Sequence, residues 1–506
     1  MTARSARPDV PLDQTWRLDD LFTSVEEWEA ERAAIEQMIP EVSEFQGRLG
    51  EGPQVLLECS EALESLMMRF AKLFTYAYLR FAEDGTNPAG QELMGRAMAM
   101  QAMIGASIAF MRPEVLSLPE GTIERYFSEE PRLEPFLRQL ELILADKPYV
   151  LSTETETAIA ALSEVLDSPQ MVYEWTKASD ISFEPATDSE GKQVPVSFAT
   201  YEEILEISPD VALRRSAYAS FSCGLARYQN ALAGTFATEI KKNVAMARIR
   251  GFESATHMFL HQQEVTPEVY TNLLDVIQAE LAPHMRRYVD LRKRALGLDR
   301  IMYCDIEAPL DPDYSPEISY EKGAQLIMDS AAVMGPEYAD IIRVAVEDRW
   351  IDRVDNVGKA TGAFCASVYD VHPYILATWG DSMRSVFTIA HELGHAVQSV
   401  FAARNQRFVN ARPSLVLIEA PSTLNELLLA QHILEATDDD RTRRWVIVQL
   451  LGTYYHNYVR HLLEAELQRR GFDRAGGGRP AIAGLRVDGK GGMLGGRWGR
   501  RWGVDG

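Results

Sequence analysis

Cysteine is scarce in this 506-residue chain, and its four cysteines are widely separated. Cys59, Cys223, Cys304 and Cys365 show no Cys-x-x-Cys spacing, so we expect neither a disulfide framework nor a zinc site built from sulfur ligands. Long apolar runs are also missing, since nowhere do 18 apolar residues follow one another, and the first residues carry no apolar signal segment. The expected protein is therefore soluble and cytoplasmic.

Positive charge is in deficit, because 51 Lys and Arg residues face 74 Asp and Glu residues and leave a formal net charge of −23. This balance argues against nucleic acid or an anionic membrane as a partner, and it favours weak attraction of cationic peptides. The hydrophobic content of 46% is enough for a large core. We therefore expect two or three domains, or one large body with several lobes.

The sequence His-Glu-Leu-Gly-His at residues 391–395 lies inside an apolar repeat that steps by three and four residues, which predicts a helix with one buried face. On a helix, His391 and His395 are about one turn apart and can point imidazole nitrogens at one metal ion. Glu392 lies about 100° around the axis, so its predicted role is general base towards a zinc-bound water. The alternative is a coincidence of two core or surface histidines.

A zinc site of this kind needs a third protein ligand and keeps its fourth position for water. One metalloprotease pattern places a glycine and a histidine at the positions of Gln398 and Phe401, so that pattern is excluded. Glu419 interrupts an apolar run downstream, where an unpaired buried carboxylate would be costly. We predict that Glu419 is the third ligand of one zinc ion and that Glu426 orients a ligating histidine. A solvated Glu419, or one in an ion pair, is the alternative.

These two segments resemble the zinc-binding segments of the oligoendopeptidase F branch of the thimet-oligopeptidase-like zinc metallopeptidases. The resemblance runs from near the start of the chain to about residue 470 and includes residues 16–22, 291–298, 362–369 and 372–374. It implies zinc-dependent hydrolysis of internal peptide bonds in short peptides. Many relatives have a histidine where this chain has Gln398, but the proposed ligand set does not need it.

The expected fold class is mainly α, a multi-helical two-lobed metallopeptidase with a small β-sheet beside the zinc helix and a substrate cleft between lobes. Helical patterns cover residues 55–82, 89–111 and 122–144, and a β-hairpin is expected within residues 181–198. Arg214 and Arg215 are expected on solvated helix faces. We predict an N-terminal helical domain at residues 1–180, a catalytic domain at 181–470 and a Gly/Arg-rich tail at 471–506.

Two stretches just before the zinc helix, residues 362–369 and 374–378, are rich in β-branched and aromatic residues and predict strands. An edge strand there can bind an extended peptide through main-chain hydrogen bonds. The candidate substrate contacts are Ala363, Phe364, Cys365, His372 and Tyr374. An ordinary paired strand is the alternative.

The last 36 residues change in composition, with 13 glycines, seven Lys or Arg and three acidic residues. We interpret this as loss of the reading frame, and a flexible tail that binds anionic surfaces is the alternative. Relatives continue in helical sequence with a histidine and tyrosines that stabilise the oxyanion. A second hypothesis is therefore a catalytically impaired, truncated member. Tyr454, Tyr455 and His456 could be offered as substitutes for these oxyanion-stabilising residues. Neighbouring positions on a helix face different ways, so at most one of the three could reach the metal. The sequence does not indicate an oligomeric state.

Overall fold

The chain folds into two compact units, each assembled from two separate stretches of sequence. The computed structural model describes residues 4–478. The first unit contains the residues up to 148 together with 315–446, and the second contains 149–314 together with the residues from 447 on. The division at residues 180 and 470 expected from sequence patterning stays a prediction.

Helices make up most of both units, which confirms the expected mainly α class. In chain order they are α1 Val25–Ser43, α2 Pro53–Glu83, α3 Pro88–Ile108, α4 Met111–Ser117, α5 Thr122–Glu129, α6 Leu137–Ala145, α7 Thr153–Ala161, α8 Ser163–Trp175, α9 Phe198–Thr200, α10 Val211–Arg227, α11 Gln229–Arg250, α12 Ala255–His261, α13 Pro267–Val276, α14 Ala282–Ala295, α15 Tyr320–Ala331, α16 Pro336–Glu347, α17 Met383–Asn405, α18 Ala420–Ala436, α19 Asp440–Tyr455 and α20 His461–Gly476.

The helix expected over residues 122–144 is interrupted. A 3-10 segment, Pro131–Phe136, separates α5 from α6. Pro131 and Pro135 have no amide hydrogen to donate, so a continuous ladder of helical hydrogen bonds cannot pass through them. The helices α2 and α3 begin instead with proline at their first position, where that missing donor costs nothing.

Within residues 4–478, five short strands form two sheets. In the second unit β1 Ala186–Thr187 pairs antiparallel with β2 Gln193–Val194, which confirms the expected hairpin. In the first unit β3 Ile351–Asp352, β4 Phe364–Ala366 and β5 Tyr374–Leu376 form a sheet of order β3-β5-β4. The outer strand β4 runs antiparallel to β5, with Cys365 opposite Ile375. This is the small sheet expected beside the zinc helix, and β4 lies at its edge.

A buried network of charges attaches the N-terminal segment to this sheet. The Arg7 guanidinium donates to the carboxylates of Glu83 and Asp352. The Lys359 ammonium donates to Asp352 Oδ1 at 2.6 Å, and the Trp16 indole donates to Glu83 Oε2 at 2.7 Å. Each buried charge therefore has an opposite charge and a hydrogen-bond partner, as low-dielectric surroundings require. The network fixes β3, and through it β5.

The second unit contains a buried ion pair that the sequence did not predict. Arg214 is 1% exposed and donates to Asp305 Oδ1 at 3.0 Å and to the Ser208 main-chain oxygen at 2.6 Å. The expectation of a solvated face for Arg214 was therefore wrong. Arg215, partly exposed, donates to the other Asp305 oxygen at 3.1 Å. Sharing one carboxylate between two guanidinium groups removes the cost of burying it alone.

The last described helix extends past residue 470, where the tail was expected to begin. Gly471 and Phe472 are buried in α20, which ends at Gly476. A Cβ on Gly471 would lie 2.3 Å from Ile240 Cδ1, so a larger residue here would require the Ile240 side chain of α11 to move. The rest of the expected tail, residues 479–506, lies outside the described residues.

Two further expectations concern membranes and disulfides. Among the described residues one stretch, Pro88–Ser117, has the length and composition of a membrane-crossing helix, although core helices of soluble proteins pass the same test. Within this stretch Leu93, Ala97, Met100 and Ile104 are buried in the core of the first unit. All four cysteines are free.

Candidate active site

The helix α17 carries the His-Glu-Leu-Gly-His sequence and begins where the apolar repeat predicts. Ser382 caps its N-terminus by accepting a hydrogen bond from the Ser385 amide. Its buried face includes Val386, Ala390 and Leu393. These contacts fix the rotation of the helix about its axis. The half-buried rings of His391 and His395, with centroids 5.0 Å apart, therefore lie on the same side of it.

Glu419 brings a carboxylate to these two rings. Its Oε2 atom lies 3.2 Å from His391 Nε2 and 3.4 Å from His395 Nε2. Two ligands of a tetrahedral zinc ion, each at about 2.0–2.1 Å from it, are about 3.3 Å apart. The two measured separations match this edge length, and the three donor atoms all lie within 4.8 Å of one another. Two imidazoles and one carboxylate are thus arranged as a group that can hold a metal ion.

Glu419 is more exposed than its position within an apolar run indicates. It is the N-cap residue of α18, and 63% of its side chain is exposed. A residue at the entrance to a helix projects past the end of that helix, so this carboxylate reaches across to α17. Such a carboxylate is also free to turn into solvent unless another group holds it.

Close packing of α17 on α18 sets this geometry. A Cβ on Gly394 would lie 2.5 Å from the Pro421 main-chain oxygen and 2.6 Å from Ser422 Cα. Any other residue at position 394 would push the two main chains apart. Gly394, which has no side chain, therefore permits the close approach of α17 and α18.

Two groups on α18 hold the site residues. Glu426 Oε1 accepts a hydrogen bond from His391 Nδ1 at 2.7 Å, because a carboxylate can only accept. This bond leaves the lone pair of His391 Nε2 directed at the metal position, as a ligating histidine requires. Ser422 Oγ lies 2.8 Å from Glu419 Oε2 and donates to it.

The protonation states of the histidines reflect these contacts. Burial alone would lower the pKa of His391, but its hydrogen bond to Glu426 and the nearby carboxylates raise the pKa above the ordinary value. Burial lowers the pKa of His395, although Glu419 opposes the change. The main chain of Ile418 also opposes this change. The contact with Glu426 therefore fixes the orientation of the His391 ring.

Glu392 is only 6% exposed and does not belong to the three-donor group. Burial raises the pKa of Glu392 to about 7, with Glu419 and Glu426 adding to the rise and His391 opposing it. A carboxyl group with a pKa near neutrality can both accept and release a proton. Its position next to His391 places that proton exchange beside the group that can hold a metal.

Comparison with known proteins now identifies the family. The model of peptidase family M3 matches residues 204–465, more than half of the chain, and the model of oligopeptidase F matches residues 114–183. This chain belongs to peptidase family M3. It is 30% identical to oligopeptidase PepF of Bacillus subtilis, over 94% of this chain and 70% of that protein. It is 29% identical to an oligoendopeptidase F homolog of Lactococcus lactis, over 92% of this chain and 77% of that protein.

Solved structures share the fold. A crystal structure from Chlamydophila abortus superposes with a TM-score of 0.87 at 24% identity, covering 99% of this chain and 83% of that one. The oligoendopeptidase-F of Enterococcus faecium superposes with a TM-score of 0.66 at 23% identity, covering 95% and 81%. Membership of family M3 makes the present protein a metalloendopeptidase.

In this M3 peptidase the edge strand β4 packs beside α17. The side chains of Phe364 and Ala366 pack into the core of the first unit, and Phe364 contacts Trp16 and Tyr78. Because side chains alternate along a strand, Cys365 points to the other face, where burial and the Glu392 carboxylate raise its pKa. The strand therefore runs past Glu392 with its outer main-chain edge unpaired by a described strand.

The structure corrects two of the candidate substrate contacts. Tyr374 is fully buried, and its hydroxyl donates to the Arg17 main-chain oxygen at 3.3 Å. His372 stacks on Trp350 and hydrogen-bonds to Asp20 Oδ2 at 3.0 Å. Both side chains are used in packing the N-terminal segment against the sheet. We therefore leave them out of the candidate peptide site.

Tyr455 is also excluded from the catalytic candidates in this M3 peptidase. It is 6% exposed and packs in the core of the second unit with Leu274, Met285 and Ile306. Its burial follows from the apolar neighbours that α13 and α14 place around it. A hydroxyl held in this core is not available to a substrate.

Sequence reasoning missed three residues that hold the site. Ser422 donates to Glu419, and Asn425 and Tyr338 form a buried pair that contacts α17. A serine and an asparagine within an apolar helical run were the available signal. Polar side chains at such positions are buried only with a partner.

Proposed function

We propose that this protein is a zinc-dependent endopeptidase that hydrolyses internal peptide bonds of short oligopeptides in the cytoplasm. The observation that carries the proposal is the convergence of His391, His395 and Glu419 within 4.8 Å, directly beside the buried Glu392. Two nitrogens and one oxygen are the ligands expected of a catalytic zinc ion with an open position. The one zinc ion would be held by these three residues.

When bound, zinc acidifies a water molecule and polarises the carbonyl group of the scissile bond. Glu392 then acts as the general base: a carboxylate oxygen takes one proton from the attacking water. The same carboxyl group returns the proton to the leaving amine nitrogen. The raised pKa of Glu392 suits both steps, because a carboxyl group that titrates near neutrality can accept a proton and release it again at neutral pH.

The peptide is proposed to bind along β4. A substrate strand would pair with the main chain of Ala363, Phe364 and Cys365, which gives affinity with little dependence on the substrate sequence. Two features support this assignment: β4 is an edge strand, and it contacts the helix that carries Glu392. The substrate cleft between lobes remains a prediction.

The alternative is a member that binds zinc and peptide with little turnover. The matched region covers 70% of the Bacillus subtilis relative and 77% of the Lactococcus lactis one. Removing one donor that stabilises the oxyanion costs on the order of 10²–10³ in rate, which is the size of loss expected of such a member.

A quenched-fluorescent peptide assay on metal-free and zinc-loaded protein tests both readings. We expect one zinc per chain, zinc-dependent cleavage, and loss of about 10²–10⁴ in kcat for Glu392→Gln with zinc still bound. Glu435→Gln, an exposed change on α18, should leave the rate unchanged. Zinc binding without turnover in the unmodified chain would favour the impaired member. Absence of zinc binding, or turnover indifferent to Glu392→Gln, would overturn the proposal.

A further inference from the structure

The Glu419 carboxylate must stay beside the two histidines to complete the candidate metal site, and its own flexible side chain does not hold it there. It stands at the entrance of α18 and is 63% exposed. A glutamate has three rotatable side-chain bonds, so an exposed one samples many orientations. Only an orientation that keeps Oε2 about equally far from both imidazoles completes the three-donor group.

Ser422 supplies a hydrogen bond to that same oxygen. Its Oγ atom lies 2.8 Å from Glu419 Oε2 and 2.9 Å from the Glu419 main-chain oxygen. The single hydroxyl proton is shared between the two acceptors. Among the described residues, the other side chains close to Oε2 are the two histidines, and their Nε2 atoms face the candidate metal position rather than hold the carboxylate.

The Ser422 hydroxyl is itself held firmly. The residue is fully buried, and its Cα lies in the tightest contact between α17 and α18, where it faces Gly394. Because Gly394 immediately precedes His395, the position of Ser422 is fixed relative to the histidines. The packing of α17 on α18 therefore fixes Ser422, and the hydrogen bond from Ser422 in turn fixes the Glu419 carboxylate relative to the histidines.

We propose that Ser422 is a positioning residue, which holds Glu419 in the orientation that binds the metal. The proposal rests on the metal assignment made under the proposed function. Residues that orient a ligand from behind commonly change metal affinity by about 10–100-fold when removed. The competing role is structural only, since the bond to the Glu419 main-chain oxygen also closes the first turn of α18.

Zinc affinity, measured by competition with a chromophoric chelator, separates the two roles. We expect Ser422→Ala to weaken zinc binding by about 10–100-fold. Thr423→Ala, which removes a hydroxyl from the next residue, should change affinity less than about twofold, because no hydrogen bond of the Thr423 side chain supports a ligand. Circular dichroism and thermal midpoints of the metal-free proteins report whether each variant folds. If Ser422→Ala does not fold, Ser422→Gly removes the same hydroxyl with less steric demand.

The decisive comparison makes the Ser422→Ala change in a protein that already lacks the Glu419 carboxylate. In a Glu419→Ala background, Ser422→Ala should cause no further loss, because Ser422 acts through Glu419. An equal loss in both backgrounds would show a structural role and overturn the proposal, as would unchanged affinity in Ser422→Ala. If the unmodified protein binds no zinc, the proposed function fails instead, so the two failures are distinct.

Discussion

The Asn425 side-chain amide donates a hydrogen bond to the Ala390 main-chain oxygen at 3.0 Å, immediately before His391 in α17. The Asn425 amide oxygen in turn accepts from the Tyr338 hydroxyl at 2.6 Å. Asn425 and Tyr338 are both buried. One side chain therefore joins α16, α17 and α18 at the level of the metal group.

Replacing Asn425 should loosen this junction. We expect Asn425→Ala to lower the free energy of unfolding by about 1–3 kcal/mol, because it leaves the Tyr338 hydroxyl buried without a partner. Zinc affinity should also fall. Asn405→Ala is the matched control, since that asparagine also donates to a main-chain oxygen of α17 but is exposed. Urea unfolding measures the stability of both variants. Equal losses of unfolding free energy would show that the buried network does not stabilise the protein more than an exposed hydrogen bond does.

Replacing Gly394 should separate the two helices. An alanine Cβ would meet the main chain of α18 at 2.5 Å, so we expect Gly394→Ala to lose about 1–3 kcal/mol of stability and much of the zinc affinity. Gly95→Ala on α3 has open space around the new methyl group and should gain about 0.5–1 kcal/mol from helix propensity alone. A stable Gly394→Ala variant with unaltered zinc binding would contradict the close packing.

Removing Glu426 should change both the protonation and the ligating strength of His391. The carboxylate raises the pKa of His391 against the effect of burial, so in metal-free Glu426→Ala we expect this pKa to fall. Zinc affinity should drop by about 10–100-fold. NMR titration of the imidazole protons measures the pKa of His391, and competition with a chelator measures the zinc affinity. A His391 pKa that does not move would exclude the Nδ1 contact in solution.

Glu206 should make the second unit less stable as pH rises. Burial raises the pKa of Glu206 from 4.5 to about 7, although Arg460 opposes the rise. Between these values the folded chain retains a proton that the unfolded chain has lost. The stability from this group is complete below pH 4.5 and is lost as pH approaches 7.

Glu206→Gln tests this dependence, because glutamine does not ionise. The variant should match the unmodified protein near the unfolded pKa and be more stable at pH 8, by at most about 3 kcal/mol. Thermal midpoints across this range measure the difference. Glu202→Gln, which removes an exposed neighbouring charge that adds to the rise, should reduce the pH dependence less than Glu206→Gln does. Parallel profiles for Glu206→Gln and the unmodified protein would contradict the raised pKa.

The zinc helix and its histidines were predictable because they depend on local spacing. A period of 3.6 residues and two histidines one turn apart are properties of a single helix, and α17 starts at Met383 as the apolar repeat indicates. The hairpin β1-β2 was predictable for the same reason, since its turn residues adjoin its strands in sequence. The approach of α18 at Gly394 also followed from the missing side chain.

Contacts between distant segments were not predictable. Tyr374 has the pattern of a strand residue, and only its bond to Arg17, 357 positions away, shows that it is buried. Arg214 has the sequence pattern of a surface residue, and only its contact with Asp305 in the folded chain shows that it is buried. The role of Ser422 depends on the register between two helices, which the sequence of either helix alone does not contain.

The charge network around Arg7 has a consequence for synthesis of the chain. Arg7 pairs with Asp352, which is 345 positions further on. At about 5–20 residues per second, a ribosome needs roughly 20–70 s to make the intervening chain. During this interval the guanidinium of Arg7 lacks the aspartate with which it is later buried. The first unit therefore cannot complete this network until β3 has been made, and the candidate metal-binding residues of α17 and α18 follow only after that.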